Sequence, residues 1–183
     1  MRDLITNLLD ANAIEEGRFT SKLERCDLNA LLKECVGHNA AAANNKQIVL
    51  EISPADEAWA RSDRTATMQI LDNFISNAIK YSPFKSTVRL RTLMVNGKAS
   101  VAITDEGPGL SVEDQKKLFR KFTRLSAKPT GGESSNGLGL SIVKRLAEAM
   151  GGTVDCQSVL GTRRDLHHSI AGLDREFRIC GQK

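Results

Sequence analysis

The stretch at residues 63–81 constrains the fold more than any other part of this chain, because its apolar residues fall on one wide helical face. That face is formed by Ile70, Leu71, Phe74, Ile75, Ala78 and Ile79. Three polar residues, Asn73, Asn77 and Lys80, stand at i, i+4 and i+7 and therefore line one side of the same helix. The helix must bury its apolar face in a core, with the polar line running beside that core.

The polar line has two interpretations. Asparagine is a poor helix former because its amide competes for backbone hydrogen bonds, so two of them in a core helix need a reason. An amide oxygen is a suitable ligand for Mg²⁺ that also carries phosphate, and a lysine one turn further on meets phosphates as a point charge. A solvated polar face would give the same pattern, and the line alone does not decide between the two.

A glycine-rich turn, Asp105-Glu-Gly107-Pro-Gly109, follows a predicted strand. Glycine lets the backbone approach a ligand closely and permits positive φ. An acidic side chain at such a strand end can accept hydrogen bonds from an exocyclic amine. The same residues also make a good simple turn, so this signal is weak by itself.

A second glycine pair, in Asn136-Gly137-Leu138-Gly139-Leu140, opens a predicted helix. Free amides at a helix N-terminus bind phosphate readily. The pair is not a Rossmann fingerprint, because Ile142 occupies the position of the third glycine and no strand precedes it. The chain also has no Gly-x4-Gly-Lys-Ser/Thr sequence, so a nucleotide site here must be of another type.

Apolar periodicity and turn residues divide the whole chain into short elements. Helices are predicted at 3–15, from Leu28 after an Asp27 cap into the alanine run at 40–43, at 63–81 after an Asp63 cap, at 111–122 and at 138–150. Strands are predicted at 19–26, 46–53, Thr87–Val95, Lys98–Thr104 and 153–159, with a hairpin turn at Asn96-Gly97 and a polar loop at 126–136. The pattern predicts an α+β fold in which helices cover one face of a mixed sheet, with a helical stub in front.

Composition narrows the function classes. The 183 residues suffice for one compact domain with a short appendage. The net charge of +4 is mild and its basic residues are dispersed, which argues against a nucleic-acid-binding protein. No apolar run approaches the roughly 20 residues that cross a bilayer, and the first residues do not resemble a signal peptide. We therefore expect a soluble, cytoplasmic chain.

The cysteines and histidines show no metal-binding or redox spacing along the sequence. The cysteines are Cys26, Cys35, Cys156 and Cys180. We interpret them as reduced, structural thiols. His38 is interpreted as an ordinary helix residue and the pair His167-His168 as solvated.

Four segments together resemble the boxes of sensor histidine kinases. Gln69–Pro83 resembles their N box, Asp105–Gly109 their G1 box, Leu118–Arg124 their F box and Asn136–Leu140 their G2 box. The boxes occur in the family's order. Leu8–Gly17 resembles the end of the second helix of the dimerisation and phosphoacceptor domain. The resemblance implies a two-layer α/β sandwich of the GHKL ATPase and kinase superfamily at 18–160, behind the end of a dimerisation helix at 1–17.

The resemblance also implies residue roles around Mg²⁺ and the phosphates of ATP. Asn73 and Asn77 would hold Mg²⁺, while Lys80 and Tyr81 would face the phosphates. Arg124 would reach the γ-phosphate. Catalysis in such a site is mostly positioning and charge neutralisation, with Asn73, Lys80 and Arg124 in the catalytic roles.

The remaining implied roles concern the adenine pocket and the lid over the nucleotide. Asp105 would accept the adenine amino group, and the segment 123–136 would form the lid. Supporting positions are Gly107 and Gly109 at the adenine pocket, Phe119 and Phe122 as lid anchors, and Gly137, Leu138, Gly139 and Leu140 at the phosphates.

Related ATPases carry a water-activating glutamate four residues before the metal-binding asparagine, and here that position is Asn73. An amide cannot act as a base, whereas a histidine acceptor is itself the nucleophile. The resemblance therefore implies transfer of phosphate to histidine, with a non-catalytic nucleotide-binding regulatory module as the alternative.

The phosphoacceptor histidine of the family would precede Met1, so we expect it in the parent protein in cis or on a partner in trans. A response regulator and a homodimer through the N-terminal helix are the other implied partners. Residues 161–183 depart from the glycine turn and alternating strand with which the family ends.

Overall fold

The computed structural model describes residues 20–95, 98–121, 123, 125–133 and 137–158. The helix predicted at 3–15, the turn at 96–97 and the segment 161–183 lie outside the described residues.

The described elements alternate between strands and helices along the chain. The strands are β1 (Glu24–Asp27), β2 (Val49–Ser53), β3 (Trp59–Ser62), β4 (Thr87–Val95) and β5 (Lys98–Thr104). The helices are α1 (Leu28–Asn45), α2 (Arg64–Tyr81), α3 (Val112–Lys117) and α4 (Gly139–Ala149). Strand β4 lies at the centre of a three-stranded mixed sheet, parallel to β2 and antiparallel to β5. Strands β1 and β3 form a separate antiparallel pair. The predicted α+β class is confirmed.

Both long helices begin at the predicted aspartates. The Asp27 carboxylate accepts hydrogen bonds from the amides of Asn29 and Ala30, and the Asp63 carboxylate accepts one from Ala66. These bonds satisfy amides that have no partner inside the helix. The caps fix where α1 and α2 start.

The core is aliphatic and lies where α1, α2 and α4 meet the strands. Phe74 is its largest fully buried side chain, and Ile142 and Leu146 bring α4 onto the same cluster. Burying each such side chain contributes about 1.5–3 kcal/mol. All six apolar residues of the α2 face are buried, as predicted.

Two sequence interpretations need correction. The strand predicted at 153–159 is wrong for residues 153–158, which form no strand. Instead, Ser158 is held by the Leu110 amide, which donates to its Oγ, and by the Gln115 side chain, which donates to its carbonyl. Strand β3, which pairs with β1, was not predicted, because four residues give too little pattern.

Several predicted boundaries shift by a few residues. β1 begins at Glu24, β2 begins at Val49, and α3 ends at Lys117. None of the helices within the described residues is both long and apolar enough to cross a membrane.

Candidate nucleotide site

The polar line of α2 meets the first turn of α4. Asn73 and Asn77 are both half-buried. The Asn73 amide nitrogen donates to the carbonyl of Gln69 at 2.9 Å, which fixes the side chain. A Cβ atom added at Gly139 would lie only 2.5 Å from Asn73 Oδ1. Glycine at 139 is therefore what allows the Asn73 amide oxygen to lie against the start of α4.

The N-terminus of α4 differs from those of α1 and α2 in its N-cap residue. Its N-cap residue is Leu138, which provides no side-chain hydrogen bond, in contrast to the aspartates that cap α1 and α2. Gly137 has φ of 65°, a conformation that favours glycine. An uncapped helix N-terminus beside an amide oxygen suits a bound phosphate with its metal ion. Leu138 is buried and Leu140 is half-buried at this turn.

The glycine-rich turn places Asp105 near the C-terminal end of α2. Asp105 is 3% exposed, and its Oδ1 accepts a hydrogen bond from the Gly107 amide at 2.7 Å. A Cβ atom at Gly107 would be 2.8 Å from both this oxygen and the carbonyl oxygen of Tyr81. Gly109 has φ of 73°. Gly107 therefore lets the turn lie against the backbone of α2 beside the buried carboxylate, and Gly109 lets the chain take a left-handed conformation.

Two buried hydroxyls near this turn lack partners within the described residues. They are Thr104 Oγ1, one residue before Asp105, and Ser82 Oγ, one residue after Tyr81. An unsatisfied buried polar group costs about 1–3 kcal/mol, so a polar ligand or water would stabilise the site. The buried Asp105 carboxylate is the group here that suits an exocyclic amine such as that of adenine.

The segment corresponding to the predicted lid attaches to the C-terminal end of α2 through Lys46. The Lys46 ammonium donates to the carbonyls of Ile79 at 2.8 Å and Lys80 at 3.1 Å. It also donates to Thr130 Oγ1 at 2.6 Å and to Glu133 Oε1 at 3.3 Å. The Thr130 amide donates to the Lys80 carbonyl at 3.1 Å. Sequence reasoning missed Lys46, since its partners are 33 to 87 residues away along the chain.

Two charged groups at this attachment have shifted pKa values. Burial lowers the pKa of Lys80, and the neighbouring Glu133 acts in the opposite direction. For Glu133, burial acts to raise the pKa, but backbone hydrogen bonds, including one from the Gly131 amide, and the contact with Lys46 hold it below its usual value. The charge of Glu133 in the lid segment therefore influences the pKa of Lys80.

The structure describes only some of the remaining predicted site residues. Phe119, two residues beyond the end of α3, and Tyr81 are half-buried. Phe122 and Arg124 lie outside the described residues, so their roles stay predictions. The structure brings together Asn73 with Gly139, and Asp105 with Gly107 and Tyr81.

These features define a nucleotide-binding α+β domain of neither Rossmann nor P-loop type. The chain belongs to the family of histidine kinase-, DNA gyrase B- and HSP90-like ATPases. The family model matches residues 62–170, which are more than half of this chain. The chain therefore carries an ATP-binding domain.

Curated relatives point to the kinase branch of that family. The sensor-like histidine kinase SenX3 of Mycolicibacterium smegmatis is 28% identical over 162 residues, which cover 88% of this chain and 42% of that protein. The virulence sensor protein BvgS of Bordetella bronchiseptica is 33% identical over 167 residues, covering 87% of this chain and 13% of that protein. The chain thus spans about two fifths of SenX3 and matches the ATP-binding catalytic domain of sensor histidine kinases.

Solved structures share the fold. The Acinetobacter baumannii histidine kinase AdeS superimposes with a TM-score of 0.76 at 23% identity, covering 95% of this chain and 79% of that one. Full-length ShkA, solved in complex with AMPPNP, has a TM-score of 0.75 at 25% identity, covering 94% of this chain and 37% of that one.

Proposed function

We propose that this domain transfers the γ-phosphate of ATP to a histidine on a dimerisation domain, either in the parent protein or on a partner chain. One observation carries the proposal. The side chain on α2 that meets the start of α4 is the amide of Asn73, where an ATP-hydrolysing relative would need a carboxylate to activate water. A histidine acceptor needs no such base, because imidazole is the nucleophile.

The chain's own residues would orient the nucleotide. Asp105, held by the Gly107 amide, would accept the adenine amino group. The uncapped amides of α4 and the Lys80 ammonium would bind the phosphates. Asn73 and Asn77 offer neutral oxygen ligands that suit Mg²⁺, which would supply charge neutralisation between the phosphates when bound.

The same proposal covers the remaining assignments. Residues 1–17 would be the end of a dimerisation helix, 18–160 the catalytic domain and 161–183 an atypical terminal segment. A response regulator would receive the phosphate from the histidine. The domain would operate in the cytoplasm, with a parent protein that is free or membrane-anchored.

The test is incubation with γ-labelled ATP and a histidine-bearing dimerisation domain. We expect label on the acceptor, and none when its histidine is replaced by alanine. Release of inorganic phosphate without labelling would indicate an ATPase instead. Mg-ATP binding without either reaction would indicate a non-catalytic regulatory module.

Substitutions test the residue roles by calorimetry with Mg-ATP. Asn77→Ala should abolish Mg-ATP binding while the circular dichroism spectrum stays unchanged, because one metal ligand is lost at a half-buried position. Unaltered affinity would refute the metal role.

A further inference from the structure

Three metal-ligating side chains converge between α1 and α2, and none of them has a role in the proposed nucleotide site. Cys35 and His38 stand three residues apart on α1 and so share one side of it, and Asp72 comes from α2. One ligand atom from each lies within 4.8 Å of the other two. His38 Nδ1 is 3.3 Å from Asp72 Oδ2.

A neighbouring side chain holds Asp72 in place. The Asn39 amide nitrogen donates to Asp72 Oδ1 at 2.9 Å and to the Cys35 carbonyl at 2.9 Å. One carboxylate oxygen is thereby anchored while the other faces His38. Metal-ligating carboxylates are commonly oriented by such outer hydrogen bonds.

We propose that Cys35, His38 and Asp72 bind a divalent transition metal ion of the Zn²⁺ class, with water completing the coordination. A thiolate, an imidazole and a carboxylate form the mixed sulfur, nitrogen and oxygen donor set that such ions take. Mg²⁺ and Ca²⁺ prefer oxygen ligands alone, so they are poor occupants.

The geometry is close to what a tetrahedral ion requires. Bonds of about 2.0–2.1 Å to nitrogen and oxygen place those two atoms about 3.3 Å apart, as His38 and Asp72 already are. A bond of about 2.3 Å to sulfur requires about 3.6 Å between Sγ and the other ligand atoms. These atoms lie within 4.8 Å of one another, so they would draw together by up to about 1.2 Å. Cys35 is fully buried, whereas the side chains of His38 and Asp72 are 52% and 36% exposed, so the ion would enter from their side.

A bound ion would change the thiol and tie two helices together. Burial, and next the Asp72 carboxylate, raise the pKa of Cys35 to about 12, so the free thiol is protonated at neutral pH. An ion that takes the thiolate must therefore release a proton. Because its ligands come from both α1 and α2, it would also raise the thermal midpoint of unfolding.

The test is anaerobic titration of the chain with Co²⁺ as a spectroscopic stand-in for Zn²⁺, in excess Mg²⁺ to saturate oxygen-ligand sites. We expect one Co²⁺ per chain, with a sulfur-to-cobalt charge-transfer band and tetrahedral d–d bands that added Zn²⁺ removes. Asn39→Ala should weaken binding about tenfold, as the loss of an outer hydrogen bond does. Absence of the sulfur band would overturn the proposal.

Matched variants assign the site. His38→Gln and Asp72→Asn change partly exposed side chains, so the fold is kept, and each should weaken binding more than Asn39→Ala does. Wild-type affinity in either variant would overturn the proposal. Cys26→Ser replaces another buried cysteine, in β1, and should leave binding intact. The double substitution His167→Gln and His168→Gln should also leave it intact, and loss of binding there would place the ion in the terminal segment instead.

Discussion

Replacing Lys46 by methionine tests the attachment between the lid segment and the C-terminal end of α2. Lys46 is 6% exposed, and its ammonium donates to two carbonyls of α2, to Thr130 Oγ1 and to Glu133. Methionine keeps the length and apolar stem of the side chain but removes the charge and every donor. The helix end and the lid segment then lose their common partner.

The expected loss of stability follows from these contacts. One hydrogen bond from a charged donor contributes about 1.5–3 kcal/mol, and a cation at a helix C-terminus adds about 0.3–1 kcal/mol; the four bonds share one ammonium, so their contributions do not simply add. Two effects reduce the sum. Burying the ammonium of Lys46 itself costs free energy. The side chain of Glu133 is 35% exposed, so its carboxylate can be hydrated by solvent once the ammonium has been removed. We expect a net decrease of about 2 kcal/mol in the free energy of unfolding.

Urea denaturation followed by circular dichroism measures this change, with Lys33→Met, at an exposed position in α1, as the control. With an m-value of about 1–3 kcal/mol/M, the midpoint should fall by about 1 M in Lys46→Met and stay unchanged in the control. Hydrogen exchange at the Thr130 amide should also become faster, because that amide bonds to the Lys80 carbonyl beside Lys46. A midpoint equal to that of the wild type would refute the reasoning.

Two further predictions use neighbouring contacts. Gly139→Ala should weaken Mg-ATP binding at least about tenfold in calorimetry, because its Cβ would lie 2.5 Å from Asn73 Oδ1. Gly37→Ala, where a Cβ meets nothing within 4 Å inside α1, should bind normally and gain up to about 1 kcal/mol of stability; equal affinity of the two variants would contradict the contact. Against the effect of burial, backbone hydrogen bonds and next the contact with Lys46 hold the pKa of Glu133 below its usual 4.5 in the folded chain. The ionised carboxylate should therefore stabilise the protein above that pH, and this stabilisation should be lost as the pH falls through the folded-state pKa. Glu133→Gln should remove this part of the acid dependence measured by denaturation, and an identical pH profile would argue against it.

The local elements followed directly from the sequence. The caps at Asp27 and Asp63 and the bounds of α2 were predictable, because capping and helical periodicity are decided by residues within one or two turns. The bounds Thr87–Val95 and Lys98–Thr104 were also confirmed. The sequence pattern did not predict strand β3, and it predicted a strand at 153–158 that does not form. A short strand forms only where tertiary packing supplies a neighbouring strand to pair with, and local sequence does not specify that neighbour.

The chemistry of the site was predictable in its residues but not in its contacts. The sequence alone identified Asn73 and Asn77 on one side of a helix and the two glycine pairs, because each pattern spans only a few residues. That Asn73 Oδ1 lies against Gly139, and that Gly107 packs on Tyr81, depends on how α2 meets α4 and the Asp105 turn.

Sequence alone thus determined the helices, their caps and the four boxes, because each of these arises from neighbouring residues. Only the tertiary structure decided the role of Lys46 and the convergence of Cys35 and His38 with Asp72. The partners of Lys46 lie as far as 87 residues along the chain, and Asp72 lies 34 residues from His38. His38 and Asp72 meet only when α1 and α2 pack together, and Lys46 meets Glu133 only when the lid segment lies against the end of α2. Local periodicity and spacing do not predict either contact.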